Sequence, residues 1–241
     1  MASYEKDLAT VNSILSKGVE NLTSEDRLRL LQIVQIVFHD SGKIEGIWSM
    51  DSTTESDFFQ KMRNSKNPNC ICLKCYAARL AAFRTNMKKR HALTALILST
   101  VQFTIDELRT RPVFGILRHN SDGEFVNEIH ATNAVNQAYA FPDLKVGTFS
   151  KNVEVLEAVF DKIGKPANLK FIQSSPIIDH KCRRSRYADY TFTVYSTPEK
   201  VAEAIANGSM PCNGRKCNAC GFSCYLGLWP QGSDIAELLR G

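Results

Sequence analysis

Hydrophobic and polar positions alternate in two regimes along the chain, the first of them helical. Residues 4–17 read as an amphipathic helix that ends at Gly18. A strongly apolar helix over 25–39 comes next, with Thr23-Ser24-Glu25-Asp26 supplying an N-cap and first-turn acids and Ser41-Gly42 closing it. Residues 44–50 form a short apolar run that fits a strand. Ser52-Thr53-Thr54-Glu55 then starts a helix carrying Phe58, Phe59 and Met62. Asn67-Pro68-Asn69 breaks that helix, and a long basic helix begins after Cys75.

From residue 113 the pattern changes. Apolar runs at 113–117, 145–149, 169–173 and 190–195 predict strands, and helices are expected between them over 124–140 and 153–163. Thr197-Pro198-Glu199 caps a last short helix that ends at Asn207-Gly208. Strand and helix in regular alternation imply right-handed crossovers and a parallel sheet. The predicted fold is therefore α/β: a partial parallel barrel or sheet of about four to five strands with covering helices. The expected organisation is an N-terminal helical extension over 1–43, an α/β core over 44–208, and a cysteine-rich, metal-binding C-terminal segment over 209–241 packed on that core.

Ligands of parallel sheets bind beyond the carboxyl ends of the strands, so the residues just after each strand are the informative ones. Arg118-His119-Asn120-Ser121-Asp122-Gly123-Glu124 comes after the first of the four strands, Ser150-Lys151-Asn152 after the second and Ser174-Ser175-Pro176 after the third. Turn chemistry alone also favours such residues. Arg118, Glu124 and Lys151 are the candidate catalytic groups and Ser174 a candidate cofactor contact, all expected on one rim. His119 and His130 read as ordinary surface or packing residues, not ligands.

The cysteines add chemistry. Cys212, Cys217, Cys220 and Cys224 fall within thirteen residues, and Gly214 and Gly221 permit the turns that bring four sulfurs round one point. Zinc accepts four thiolates, and so does a [4Fe–4S] cube. Cys72 and Cys75 have the two-residue gap that lets both sulfurs reach one ion at a loop-to-helix junction. Cys70 is either a third ligand or a buried bystander, and Cys72 and Cys75 could also join two of the quartet in one shared site.

Composition narrows the setting. With 44% hydrophobic residues in 241, the chain can bury one substantial core. The opening residues are polar and do not resemble a secretory signal, and no apolar run reaches membrane-span length, so the expectation is a cytoplasmic protein with reduced thiols. Net charge is a modest +5, but it is uneven: residues 61–90 hold nine Lys or Arg and no acid, and Lys181, Arg183, Arg184 and Arg186 form a second block. Blocks at 61–90 and 181–186 suit nucleic acid or another anion, or a solvated face.

Together, Cys72-Leu-Lys-Cys75-Tyr76-Ala77, Arg118, the Gly123-Glu124-Phe125 turn, the Ser150-Lys151 pair and the terminal quartet resemble the phage gene product 88 family over roughly residues 45–241. The arrangement is also distantly similar to radical S-adenosylmethionine enzymes, which hold a [4Fe–4S] cube on three cysteines before a run of strand–helix units. That resemblance implies Cys70, Cys72 and Cys75 as cluster ligands, the quartet as an auxiliary site, and S-adenosylmethionine as cofactor. Only one residue separates Cys70 from Cys72, where those enzymes usually have three. Two functions are expected: a phage-type iron–sulfur protein with redox or radical chemistry at the rim, or a zinc-stapled protein that binds nucleic acid or a host protein.

Overall fold

The computed structural model describes residues 2–212 and 216–239. In chain order the elements are α1 (Ala2–Leu15), α2 (Ser24–Ile33), β1 (Val37–Phe38), β2 (Trp48–Met50), α3 (Asp57–Arg63), α4 (Tyr76–Phe83), α5 (Thr85–Thr100), α6 (Ile105–Arg109), β3 (Ile116–His119), α7 (Glu128–Ala140), β4 (Lys145–Ser150), α8 (Val153–Ile163), β5 (Leu169–Ser174), β6 (Tyr190–Tyr195), α9 (Pro198–Ala206), β7 (Met210–Pro211), α10 (Ser223–Leu226) and β8 (Asp234–Leu238). The strands form one sheet in the order β1-β2-β3-β4-β5-β6-β8-β7, with β1 at one edge and β7 at the other. Every pairing is parallel except β1 with β2.

The α/β class and the parallel pairing are as predicted, but the sheet has eight strands among the described residues instead of four to five. The extra strands hide for physical reasons. β1 and β7 are two residues long, too short to alternate. β8 carries Asp234 and Glu237, which look like loop residues. Asp234 Oδ1 accepts from the hydroxyls of Thr191 and Thr193 at 2.9 and 2.8 Å, and Glu237 pairs with Lys43 at 2.6 Å, so both acids are compensated inside the sheet.

Helix boundaries shift as well. The helix expected over 25–39 stops at Ile33, because the Arg111 guanidinium donates to the carbonyls of Leu31 and Val34 and the chain then turns into β1. The basic helix is two helices, α4 and α5, joined at Arg84. α3 starts at Asp57, capped by Ser56, and α7 starts at Glu128, capped by Asn127.

From β2 to β6 each parallel step moves the same way across the sheet, so right-handed crossovers stack the helices on one face. That face holds the large core: Leu117, Val146, Leu169 and Phe171 from the strands meet Leu31, Ile97, Val135, Leu156 and Phe160 from α2, α5, α7 and α8. Residues before 44 are part of it, since Val11 and Ile14 of α1 are buried there. The other face carries the short α10 of the β7-to-β8 connection. Its smaller cluster, Ile47, Ile116, Ile172, Tyr190 and Ile235, is covered by Cys224 and Tyr225 from the segment between β7 and β8.

Candidate metal centre

The face covered by α10 is where the predicted rim residues gather. Strand alternation sends Leu117 and His119 to the helices and Arg118 to this side; Phe149 and Ile172 obey the same rule. At Gly147 the covering segment comes closest: a Cβ there would lie 2.4 Å from Tyr225 Cδ1, so only glycine admits the fully buried tyrosine ring. The Arg118 guanidinium stacks on Phe149, 4.2 Å from the ring centroid, and Nη1 donates to the Tyr225 hydroxyl at 3.3 Å. Burial opposes the Arg118 charge. Tyr225, Cys217 and Asp51 more than offset that and hold its pKa above the ordinary guanidinium value.

Two adjoining cavities open here, of ≈ 190 and ≈ 750 Å³, and Lys43, Cys75, Arg118, Ser121, Lys151 and Glu237 line both. Cys212, Cys217, Cys220 and Cys224 line the smaller one together with Ser174. Cys72 lines the larger one, with Cys75. The structure thus brings Arg118, Lys151 and Ser174 to one place, with six cysteines round it. The loop bearing Cys70 to Cys75 is fixed on that rim by Cys70 bridging Ile177 and by the Ile71 amide donating to the Pro176 carbonyl at 2.9 Å.

Glu124 lies elsewhere. Its side chain is 1% exposed and lines neither cavity. Oε1 accepts from the Ser150 hydroxyl at 2.5 Å and from the Phe125 amide at 3.1 Å, and Oε2 accepts from the Lys151 amide at 2.8 Å. Glu124 therefore positions Lys151. Burial raises the Glu124 pKa, and the Lys151 charge and these donors partly offset the rise. Burial also disfavours the Lys151 ammonium, but Cys72, Glu124, Cys75 and Cys70 outweigh it and raise its pKa.

No disulfide joins the cysteines among the described residues. Burial pushes Cys72 up to about 12, Lys151 pulls against the rise, and Cys70 and Cys75 add to it. Cys224 is likewise pushed up to about 12, first by burial and then by Cys217. Both thiols are therefore held in the neutral form, chiefly by burial. Cys70 is set apart: it is wholly buried and its thiol donates to the Met62 carbonyl at 3.2 Å. Cys182 lines neither cavity. Gly214, expected to turn the quartet loop, lies outside the described residues, whereas Gly221 does turn it, at φ 60°.

A family model for gene product 88 matches residues 61–227, more than half of the chain. The chain belongs to the gene product 88 family. The matched span runs from α3 to just past α10 and so contains every cysteine, Arg118, Lys151 and Ser174, while α1, α2, β1, β2 and β8 lie outside it. No curated protein and no solved structure matches the chain.

Several residues of the cavity wall were not singled out by sequence reasoning. Tyr225 sits beside Cys224 in sequence and carried no separate signal. Asp51 comes directly after β2, as Lys151 comes directly after β4; only the shortness of β2 concealed it. Lys43 and His91 have no sequence signature, because they arrive from the turn after β1 and from the middle of α5.

Proposed function

We propose that this gene product 88 family protein is an iron–sulfur protein whose cavity carries redox or radical chemistry, with Cys212, Cys217, Cys220 and Cys224 as the cluster ligands. The observation that carries the proposal is the convergence of two cysteine groups with Arg118 and Lys151 on the walls of adjoining cavities at the strand carboxyl ends. A single zinc ion, at about 2.3 Å from each sulfur, needs its thiolates within about 3.8 Å of one another. A [4Fe–4S] cluster instead spreads its ligand sulfurs over four irons, and the short-spaced run Cys212, Cys217, Cys220 and Cys224 is of the kind that holds one.

Each wall residue has its own part in this chemistry. A bound cluster would supply one-electron chemistry. Arg118 and Lys151 offset the negative charge of thiolates and of an anionic ligand, and Tyr225 shields the quartet side from water. Ser174 offers a hydroxyl to a cofactor in the smaller cavity. S-adenosylmethionine, with its carboxylate, is a ligand of the class such a wall would take. Cys72 and Cys75 face the larger cavity as two further thiolates; Cys70 would have to leave the Met62 carbonyl to join them.

Anaerobic purification with iron and sulfide analysis tests this reading. A brown protein whose colour is lost in Cys217→Ser and Cys220→Ser is the expected result; a colourless protein with stoichiometric zinc would establish the zinc-stapled alternative. The nucleic-acid form of that alternative has less support, because Lys88, Lys89 and Arg90 pair with Glu55, Glu5 and Asp7, and Arg186 pairs with Asp161.

A further inference from the structure

We propose a second, thiolate-free metal site on the wall of the larger cavity, in which Asp51, His91 and Asp122 hold one divalent transition ion. Their ligand atoms all lie within 4.8 Å of one another. The three come from separate, well-anchored elements: Asp51 comes directly after β2, Asp122 lies in the turn after β3, and His91 projects from α5. All three line the ≈ 750 Å³ cavity.

Two observations distinguish this group from an ordinary polar cluster. His91 is 9% exposed, yet neither ring nitrogen makes a hydrogen bond among the described residues, and Nε2 sits 3.9 Å from Asp51 Oδ2. That separation is too long for a hydrogen bond. It is within the span of two ligands that each lie about 2.1 Å from one shared ion. The Asp122 carboxylate also accepts no hydrogen bond among the described residues, although it faces the Asp51 charge. Arg118 and Arg84 are within electrostatic reach of it, but neither donates to it.

Asp51 is held as a ligand carboxylate usually is. Oδ1 accepts from the Ser121 hydroxyl and, at 3.0 Å, from the Asp122 amide, and Oδ2 accepts from the Ser49 hydroxyl at 2.8 Å, which is itself 2.8 Å from His39 Nε2. These contacts fix the carboxylate and leave the His91 side of Oδ2 to the ion. One imidazole and two carboxylates form a nitrogen and oxygen set suited to Mn²⁺, Fe²⁺ or Zn²⁺ and different in kind from the cysteine groups. The open positions would face the cavity, where a water or a substrate oxygen could complete the coordination.

Mn²⁺ is the probe, since its preference for oxygen and nitrogen donors keeps it off the thiols. The full-length protein, stripped with a chelator, is titrated with Mn²⁺ while free ion is monitored by electron paramagnetic resonance. The expected result is one ion bound per chain, a dissociation constant raised at least about tenfold in Asp122→Asn, and no change in a Cys72→Ser, Cys75→Ser double variant. The melting temperature gives a second reading that does not depend on any variant: Mn²⁺ should raise it in the unsubstituted protein, because the ion binds only the folded chain. An unsubstituted protein that leaves millimolar Mn²⁺ free and its melting temperature unmoved would overturn the site. So would an Asp122→Asn protein of native circular dichroism and undiminished affinity, or binding lost with the two cysteines.

Discussion

The two faces of the sheet are made from the same strands and yet are held together by different means. On the helix side, Leu117, Val146 and Phe171 are sealed by α2, α5, α7 and α8, so each contact has many neighbours to support it. On the cysteine side a short segment, with Tyr225 as its one large buried anchor, covers Gly147 and Phe149, and the remainder of that face is cavity. The helix side is stabilised chiefly by burial, with buried hydrogen bonds such as those of Asn133 to the Leu98 and Val101 carbonyls. The cysteine side keeps polar, charged and thiol groups beside open space, so under the proposed function its stability would rest on the bound metal. Substitutions on the two faces should therefore separate stability from metal content.

The largest effects come from the aromatic anchors. Phe171→Ala on the helix side and Tyr225→Ala on the cysteine side should each lower stability by about 3–5 kcal/mol, since both rings are buried. Only Tyr225→Ala should also lower metal content. Denaturant unfolding with metal analysis on the folded fraction checks this, and equal metal loss in both would dissolve the distinction between the faces. Gly147→Val tests the same contact from the strand, because its side chain would run into the Tyr225 ring.

The proposed cysteine ligands come next. Cys217→Ser or Cys220→Ser should remove metal and several kcal/mol of stability together, because the binding free energy of a loop site is also folding free energy. The same substitutions in chelator-treated protein should cost little. Cys182→Ser, which touches neither cavity, serves as the control and should change neither metal nor melting temperature appreciably.

The same contrast explains how much of the molecule was legible in the sequence. Strand–helix alternation from residue 113 onward displays the helix side, because a buried face imposes a period, and β4, β5, β6 and α8 fall within a residue of where that period puts them. The rim residues Arg118, Lys151 and Ser174 were accessible because parallel strands bring their carboxyl ends to one edge, although Arg118 and Ser174 lie within β3 and β5 rather than after them and only Lys151 follows its strand. Glu124 has the same position in sequence, but its carboxylate turns inward to Ser150 and the Lys151 amide, a choice made by hydrogen bonding rather than by strand order. The cysteine side resisted reading at β1, β7 and β8, where strands are short or carry acids satisfied from distant elements. The group of Asp51, His91 and Asp122 is assembled from three elements, and no spacing along one of them announces it.

A smaller effect belongs to the helix side alone. His119 and His130 are buried there without charge, and burial, the first cause in each case, lowers their pKa values to about 4 and about 3. In the unfolded chain both would titrate near about 6.5. The unfolded state therefore binds more protons below that pH, and stability should fall as pH drops from 7 to 5, by about 1–2 kcal/mol per histidine. His130→Gln should flatten this acid limb in denaturant titrations. A limb as steep as that of the unsubstituted protein would assign the loss to other groups.

The smallest expected change concerns the surface of α5, where the two readings of the basic block meet. Arg90 donates to Asp7 at 2.5 Å and to the Ser3 hydroxyl at 2.9 Å, and its guanidinium lies 5.6 Å from the Tyr4 ring centroid, so it ties α5 to α1. The neighbouring Lys89 does the same through Glu5 and Tyr4. Charges committed to such pairs are a poor electrostatic footprint for a polyanion, since each phosphate contact would have to displace an existing partner. Arg90→Gln should therefore lower stability by less than about 1 kcal/mol and leave oligonucleotide binding at low salt where it was. Binding that is tight at low salt, falls steeply as salt rises and weakens further in Arg90→Gln would show these pairs opening for nucleic acid, and would move the functional surface from the cysteine cavity to the helices.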